Sequence, residues 1–571
     1  MRAELAIALV VLAGCPSEQP PPPPPSESDV PATWTLGDEQ TCADPVDPFT
    51  ALQPVSDRGI DQPIPSAAQF GVPGRYLVSV LARDLDGDGD VDLGFSRPDS
   101  GLDAYANDGS GRFTWLGDDM PWAPPAGAPE RDALAQAFVD LTGDGLPELV
   151  RSGWDGVWFH RNLGGLTWGD DEVLWDAWSG PMGGAAWATF GVGDLDGDGD
   201  MDMALSSLHG PFSDFQNEEP PPGFLDAVLL LEDEAVEQMI RLGDRGPGTS
   251  QLALLTDRDS DGDLDVYIGA DLKIPGVFPP GTFWRNDGVD GAGALQLVDD
   301  GDATSSALQI SHMGSASADI NRDGLLDYCF TIIGPISCIE SDPSGAYVDT
   351  TAVHGLTPEL VKIPRYFTGW SVELADLDHD GFEDVVAVAG RSDDFLGDDP
   401  DSHGGEPGDE DPVETPWISP QPNALWQARG PGDWVERTSA VGFGSTRESF
   451  GMAAADLDGD GSLEIVIGNE TGLPSVWDAG CPAGAWLAFD LRGPNGETEL
   501  VGAQVRVEDG DEHWLREVQS LRTVGLSPLR VHVGLGDREV VDRVSVMWPG
   551  GGVSVLTDVP TRRLIRVQRD G

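Results

Sequence analysis

DLDGDGDVDL, residues 84–93, carries carboxylates at its first, third, fifth, seventh and ninth positions and a glycine at its sixth. The pattern returns as DLTGDGLPEL from Asp140, DLDGDGDMDM from Asp194, DRDSDGDLDV from Asp257, DINRDGLLDY from Asp319, DLDHDGFEDV from Asp376 and DLDGDGSLEI from Asp456. Successive starts lie 56, 54, 63, 62, 57 and 80 residues apart, a near-regular period that belongs to solenoids and propellers. Each motif has similar surroundings. A small or apolar strand precedes it (Ala186 to Val192, Gly451 to Ala455) and an alternating strand follows (Leu264 to Ala270, Leu463 to Gly468). A third strand bears an aromatic and then a turn: LDAYANDGSG from Leu102, VWFHRNLGG from Val157, TFWRNDG from Thr282. A more polar fourth strand closes the unit (Arg112 to Leu116, Trp434 to Thr438). Four short antiparallel strands per unit, repeated seven times, predict an all-β chain whose residues 46–482 form a seven-bladed β-propeller. Closing the ring removes the sheet edges that so many strands would expose.

The seventh unit ends early. Its third strand, Pro474 to Asp478, is followed by Cys481 and no fourth strand. Residues 49–55, FTALQPV, resemble the fourth-strand endings YVDTTAVHGL (from Tyr347) and WVERTSAVGF (from Trp434), so an N-terminal strand is expected to complete blade seven. That closure brings Cys42 near Cys481, and Cys329 and Cys338 flank Gly334-Pro335 in a hairpin-like stretch. With Cys15 set aside, four cysteines allow three pairings; Cys42–Cys481 and Cys329–Cys338 are the expected disulfides, four free buried thiols the alternative. A bridge across so long a loop stabilises by several kcal/mol in the chain-entropy account.

The loops are chemically specific. Calcium takes six to eight oxygens, and acids at alternate positions of a tight loop aim several at one centre. The sixth-position glycine permits the sharp turn, the seventh residue lends a carbonyl, and the ninth can bind through both oxygens. The ligand sets read from the sequence are Asp84, Asp86, Asp88, Asp90 and Asp92 in loop one, and Asp140, Thr142, Asp144, Leu146 and Glu148 in loop two. Loops three and four offer Asp194, Asp196, Asp198, Asp200, Asp202 and Asp257, Asp259, Asp261, Asp263, Asp265. Loop five has Asp319, Asn321, Asp323, Leu325 and Asp327; loop six Asp376, Asp378, Asp380, Phe382 and Asp384; loop seven Asp456, Asp458, Asp460, Ser462 and Glu464. Thr142, Pro147 and Glu148 make loop two the weakest of up to seven sites. Carboxylates so close together repel without a cation, so folding and metal binding are coupled. An EF-hand needs Glu at position twelve, where loops one, three and six have Phe95, Leu205 and Ala387. Thrombospondin-type and RTX arrays have much shorter periods, and solvated acidic turns without metal are the remaining alternative.

These segments resemble the FG-GAP/VCBS repeats of integrin α-chain propellers and many bacterial surface proteins, with Phe190-Gly191 and Phe450-Gly451 as the name-giving dipeptide. The resemblance implies calcium between strands one and two of a blade. Residues 483–571 lack the repeat and contain β-like runs at Trp486–Leu491, Ala503–Val507, His513–Val518, Val531–Val533, Val541–Trp548 and Leu564–Val567. GAQVRVEDG from Gly502, REV from Arg516, HVGLGD from His532 and VDRVSVMWPGG from Val541 resemble the ASPIC/UnbV domain, which follows such propellers in cartilage acidic protein and its bacterial relatives. The expectation is a small β-sandwich or barrel-like domain, with no activity implied.

The 571 residues carry 100 acids against 32 bases, a formal net charge of -68, which repels nucleic acid and anionic membrane surfaces and concentrates cations. At 39% hydrophobic the chain has material for a large core. Residues 1–15 read as an export signal: Arg2, an apolar run from Leu5 to Leu12, then Leu12-Ala13-Gly14-Cys15, which resembles the bacterial lipobox, although Glu4 is an acid where a leader is normally basic. Cys15 is the expected lipidation site, on a chain held at the bacterial envelope by its anchor alone. Residues 16–45 are expected to be a tether, Pro-rich around Pro20 to Pro25.

Catalytic signatures are missing: no GxSxG, HExxH, P-loop or dinucleotide-binding glycine context occurs, and the eight histidines are scattered. His379, at position four of loop six, reads as solvent-facing. Two features offer binding alternatives. Trp154, Trp158, Trp168, Trp175, Trp178 and Trp187 either pack between blades or stack on a ligand. The insertion from Ser392 to Pro422, with ten acids between Asp393 and Glu414, is either a solvated loop or a site for a cationic partner. The expected function is adhesion, recognition or scaffolding toward a protein or glycan at the envelope, without catalysis; the alternative is an envelope enzyme acting on polysaccharide.

Overall fold

The computed structural model describes residues 30–42, 44–64, 78–97, 101–117, 133–153, 156–176, 186–208, 226–232, 234–242, 250–271, 280–360, 367–390, 421–444, 447–470, 472–519 and 521–571. Cys15, the 392–420 part of the acidic insertion, Trp154 and Trp178, and the side chain of Trp187 lie outside that description. No described helix is long and apolar enough to cross a membrane.

Each acidic motif sits between the first two strands of its own antiparallel sheet. In all seven sheets the ninth-position acid is the first residue of strand two and pairs with the residue just before the loop: Arg83 with Asp92, Val139 with Glu148, Gly193 with Asp202, Thr256 with Asp265, Ala318 with Asp327, Ala375 with Asp384 and Ala455 with Glu464. The loops are therefore turns in the same register on seven hairpins. Two further strands follow in order within each of the first six sheets. The sheets pack face to face around a ring. Leu81, Ala137, Leu149, Phe190 and Met203 join sheets one to three, Ala204 and Ala253 join three to four, and Tyr267 stacks on Phe330 between four and five at 5.1 Å. Ala316 and Val372 join five to six, Val386 and Ile465 six to seven, and Val80 and Val466 seven to one. The molecule is a β-propeller with a C-terminal β domain.

Sheet seven takes its fourth strand from the N-terminus, Gln53–Val55, which pairs antiparallel with Ser475–Asp478. This strand is shorter than the expected 49–55. Pro48–Ala51 is instead one turn of helix, because Pro48 suits a first helical position and the Asp47 carboxylate accepts a hydrogen bond from Phe49 N at 2.9 Å. Cys42 and Cys481 form a disulfide beside the seam, with Cα atoms 5.8 Å apart. Cys329 and Cys338 form a second across directly paired residues of sheet five.

The tether reading of 16–45 needs correction over its second half. Ala32–Leu36 is a strand paired with Arg563–Arg569 of the C-terminal domain. Thr33 and Thr35 alternate with Trp34, whose ring packs partly buried on that domain's core, and the β-prone trio outweighs the Pro-rich composition upstream. With this strand the domain consists of two four-stranded sheets. Phe489, Val505, Trp514, Val544, Trp548 and Ile565 share the core between them, which makes it a sandwich.

The sandwich sits on the loop-bearing face, and one of its connections enters the ring. Gly525–Leu526 pairs in parallel with Val80–Leu81, so sheet one gains a fifth strand. Arg522 Nη1 lies 2.5 Å from Glu373 Oε2 of sheet six, Gln519 Nε2 donates to Ser317 O of sheet five at 2.7 Å, and Thr523 bonds to Met313 O. Ala454 N of sheet seven donates to Ser527 Oγ at 3.2 Å. Leu521 and Leu526 join the core of sheets one to three. Gln519 and residues 521–527 thus reach first strands of several sheets and enter the centre of the ring.

Candidate metal centres

Backbone geometry makes each loop a cradle. The sixth-position glycines have φ between +87° and +100°, the left-handed region closed to most side chains. Position four is left-handed too, a requirement the sequence reading missed. Gly87, Gly143, Gly197 and Gly459 meet it without cost, whereas Ser260, Arg322 and His379 adopt φ of 58° to 60°. Those three side chains grip the C-terminal domain: Ser260 Oγ donates to Gln504 Oε1 at 2.8 Å, Arg322 lies over the Trp514 ring, and His379 packs against His532 at 5.0 Å. His379 is therefore buried, 1% exposed, rather than solvent-facing, because the sandwich covers loop six.

Within a loop, the first carboxylate accepts from the backbone of the turn. Asp84 takes Gly87 N at 2.8 Å and Gly89 N at 2.9 Å, and Asp194 takes Gly197 N and Gly199 N likewise. The ninth carboxylate is a latch. Asp92 accepts Leu85 N at 2.8 Å through Oδ2 and Asn107 N, on strand three, at 2.7 Å through Oδ1. Asp202, Asp327 and Asp384 repeat both bonds. This acid fixes loop to sheet, with lone pairs to spare for a cation.

Carboxylate oxygens of Asp84, Asp86 and Asp92 come within 4.8 Å of one another, as do those of Asp194, Asp196 and Asp202, and of Asp376, Asp378 and Asp384. In loops four and seven the convergent groups are Asp257, Asp259, Asp261 and Asp456, Asp458, Asp460. Asp140 Oδ1, Asp265 Oδ2, Asp319 Oδ1 and Asp458 Oδ1 are buried without a hydrogen-bond partner. Hard anionic oxygens, converging and partly unpartnered, fit a hard divalent cation. Burial raises the carboxyl pKa of Asp92 to about 7 and of Asp202 and Glu148 to about 8; for Asp194, raised to about 6, burial is joined by Asp198 and Asp196. Groups so placed take up either protons or a cation.

The loops differ in what else reaches them. In loop two Thr498 donates to Asp140 Oδ2 from its amide at 2.8 Å and its hydroxyl at 3.0 Å, so the sandwich occupies lone pairs of the first acid and stabilises its charge by hydrogen bonding. In loop four Arg258 lies 3.3 Å from Asp265 and 2.5 Å from Asp300. In loop five His513 Nε2 stands 3.6 Å from Asp319. In loop seven Arg58 reaches Asp458 and Glu464. Third-strand asparagines tie neighbouring loops together. Asn107 Nδ2 donates to Val91 O of its own loop and to Leu457 O of loop seven at 2.7 Å; Asn162 does so to Leu85 O and Asn286 to Leu195 O. Their signal was visible as the N-x-G turns after strand three. The arginines, Thr498 and His513 had no motif to announce them.

Of the tryptophans, Trp168 is buried in the sheet one-to-three core, Trp175 packs partly buried against it, and Trp158 is buried.

A propeller with an acidic loop in each sheet and a sandwich seated on those loops defines a class, and the family descriptions agree with it. Residues 84–151 and 415–467 match the FG-GAP-like repeat, and residues 493–571 match ASPIC and UnbV. The chain thus carries FG-GAP-like repeats and a C-terminal ASPIC/UnbV domain. No curated protein matches it. Among solved structures it is similar to an Agrocybe aegerita lectin described as recognising non-reducing terminal N-acetylglucosamine, at 14% identity and TM-score 0.39, covering 64% of this chain and 80% of that one. It is also similar to BBS1N in complex with ARL6DN, at 10% identity and TM-score 0.40 over 71% and 93% of the two chains.

Proposed function

We propose that this chain is a calcium-stabilised recognition or scaffold module, exported and held at the bacterial envelope through lipidated Cys15, which presents propeller surfaces to a protein or glycan. The observation that carries the reading is the set of convergent carboxylates at equivalent turns of the ring. Bound calcium supplies charge neutralisation. The first, third, fifth and ninth acids with the seventh carbonyl would hold it, and the ninth acid passes the resulting rigidity to strand three. A rigid ring favours recognition, because ordering a surface on binding costs affinity. The sandwich covers the loop face and residues 521–527 enter the centre, which supports ligand selection by the opposite face and the rim. The test is capture by the soluble chain, residues 16–571, on glycan arrays and from envelope extracts, in calcium and in chelator. Calcium-dependent capture of one glycan class or stoichiometric partner is expected. Turnover of polysaccharide that depends on carboxylates outside the loops would favour an enzyme.

A further inference from the structure

In loop four Arg258 meets the ninth acid alone, whereas in loop seven, at the seam where the ring closes, an arginine reaches two ligand positions. Arg58, three residues beyond the closing strand, is partly buried, with its side chain 10% exposed. Its Nη2 lies 3.1 Å from Asp458 Oδ2, 3.3 Å from Glu464 Oε1 and 2.5 Å from Asp478 Oδ2. Asp458 and Glu464 are the third and ninth residues of loop seven, and Asp478 ends the strand that pairs with the N-terminal one. The backbone of Arg58 is anchored on the other side of the seam, where its carbonyl accepts Phe113 N of sheet one at 2.7 Å.

We infer that Arg58 serves loop seven in place of a divalent cation, so that this loop binds no calcium at concentrations that fill the fitting loops. The inference rests on the calcium reading of the other loops. The guanidinium already donates to two of the five ligand positions, and an entering ion would meet a fixed positive charge within a few ångströms. Arginine suits the task because it stays charged and its planar fork reaches several carboxylates at once. Asp458 Oδ1 has no hydrogen-bond partner, but one spare oxygen is not a site for an ion that takes six to eight. The chemistry also fits the location. At the seam the closing strand Gln53–Val55 pairs with Ser475–Asp478 from far along the chain, and there the disulfide and the guanidinium both hold without metal.

Native mass spectrometry of the full chain in buffered calcium tests this by counting bound ions. Arg58→Met is expected to hold one more calcium than the wild type. Asp458→Asn is expected to hold the same number as the wild type, whereas Asp198→Asn loses one. If Arg58→Met does not fold, the contrast between Asp458→Asn and Asp198→Asn decides. Equal counts for Arg58→Met and wild type, or an ion lost in Asp458→Asn, overturns the inference while leaving the other loops as calcium sites. A wild type with no calcium overturns the loop reading and this inference with it.

Discussion

Loops three and seven begin from nearly the same sequence, DLDGDGDMDM and DLDGDGSLEI, and end in different surroundings. In loop three the hydrogen bonds to the carboxylates come from nearby backbone: Asp194 takes Gly197 N and Gly199 N, Asp196 takes Asp198 N, Asp198 takes Asp200 N, and Asp202 takes Leu195 N and Leu231 N. In loop seven a guanidinium from the N-terminal segment joins the same network, and the sandwich closes over the turn, with His532 Nε2 3.0 Å from Gly461 O. One motif thus has two routes to electrical balance. Both loops bring carboxylate oxygens together, and on the calcium reading loop three takes its counter-charge from a small ion. A loop that must hold a seam takes its positive charge from the chain itself.

The comparison breaks most visibly on removing calcium. Loops like the third lose their counter-charge, and the thermal midpoint of the full chain should fall by roughly 10–20 °C in chelator, since several sites each contribute up to about 4 kcal/mol when saturated. The loops other than the seventh should become protease-sensitive first, which limited proteolysis with mass mapping would locate. Next in size, Asp198→Ala removes a ligand from a fitting loop and should cost about 3 kcal/mol in calcium. Asp144→Ala should cost less than about 1 kcal/mol, because loop two already lacks ligands and leans on Thr498. Equal shifts in a differential scan would contradict that ranking.

The pH response sharpens the same point. Burial holds Asp92 at about 7 and Asp202 and Glu148 at about 8 in the folded, ion-free chain, above the roughly 4 of unfolded carboxyls. The folded state then binds more protons than the unfolded one between those values. This contribution is complete below the unfolded pKa and is lost as pH rises through 7 and 8. In chelator, acidification from about pH 8 to 6 should therefore raise the midpoint, whereas in saturating calcium it should leave it level. Parallel curves in the two buffers would mean that the ion does not occupy these carboxylates. A similarly small effect is expected from Thr498→Ala, about 0.5–1 kcal/mol, because only the hydroxyl's hydrogen bond to Asp140 is lost while the amide's remains.

The ring was legible because its signals are local. Ten contiguous residues specify each hairpin turn, and the repeat multiplies a weak signal seven times. What escaped the sequence is non-local. Arg58 acts on Asp458 across 400 residues with no motif linking them. Trp34, in a stretch dominated by prolines and acids, becomes part of a strand only because Arg563–Arg569 offers a free edge. His379 looked exposed because a turn residue beside acids usually is; the covering sandwich could not be foreseen from loop six alone. The helix at Pro48–Ala51 was hidden by analogy with strand endings that themselves run into helical turns at Thr351–His354 and Thr438–Val441.

The central claim is that bound divalent ions neutralise the open acidic loops and so hold the propeller together. The most direct measurement is elemental metal analysis of the full chain, loaded with calcium and dialysed against calcium-free buffer, with a melting curve recorded before and after chelation. Several tightly held calcium ions per chain and a large loss of thermal stability on chelation are predicted. A chain that retains no calcium and melts at the same temperature in chelator would contradict the account.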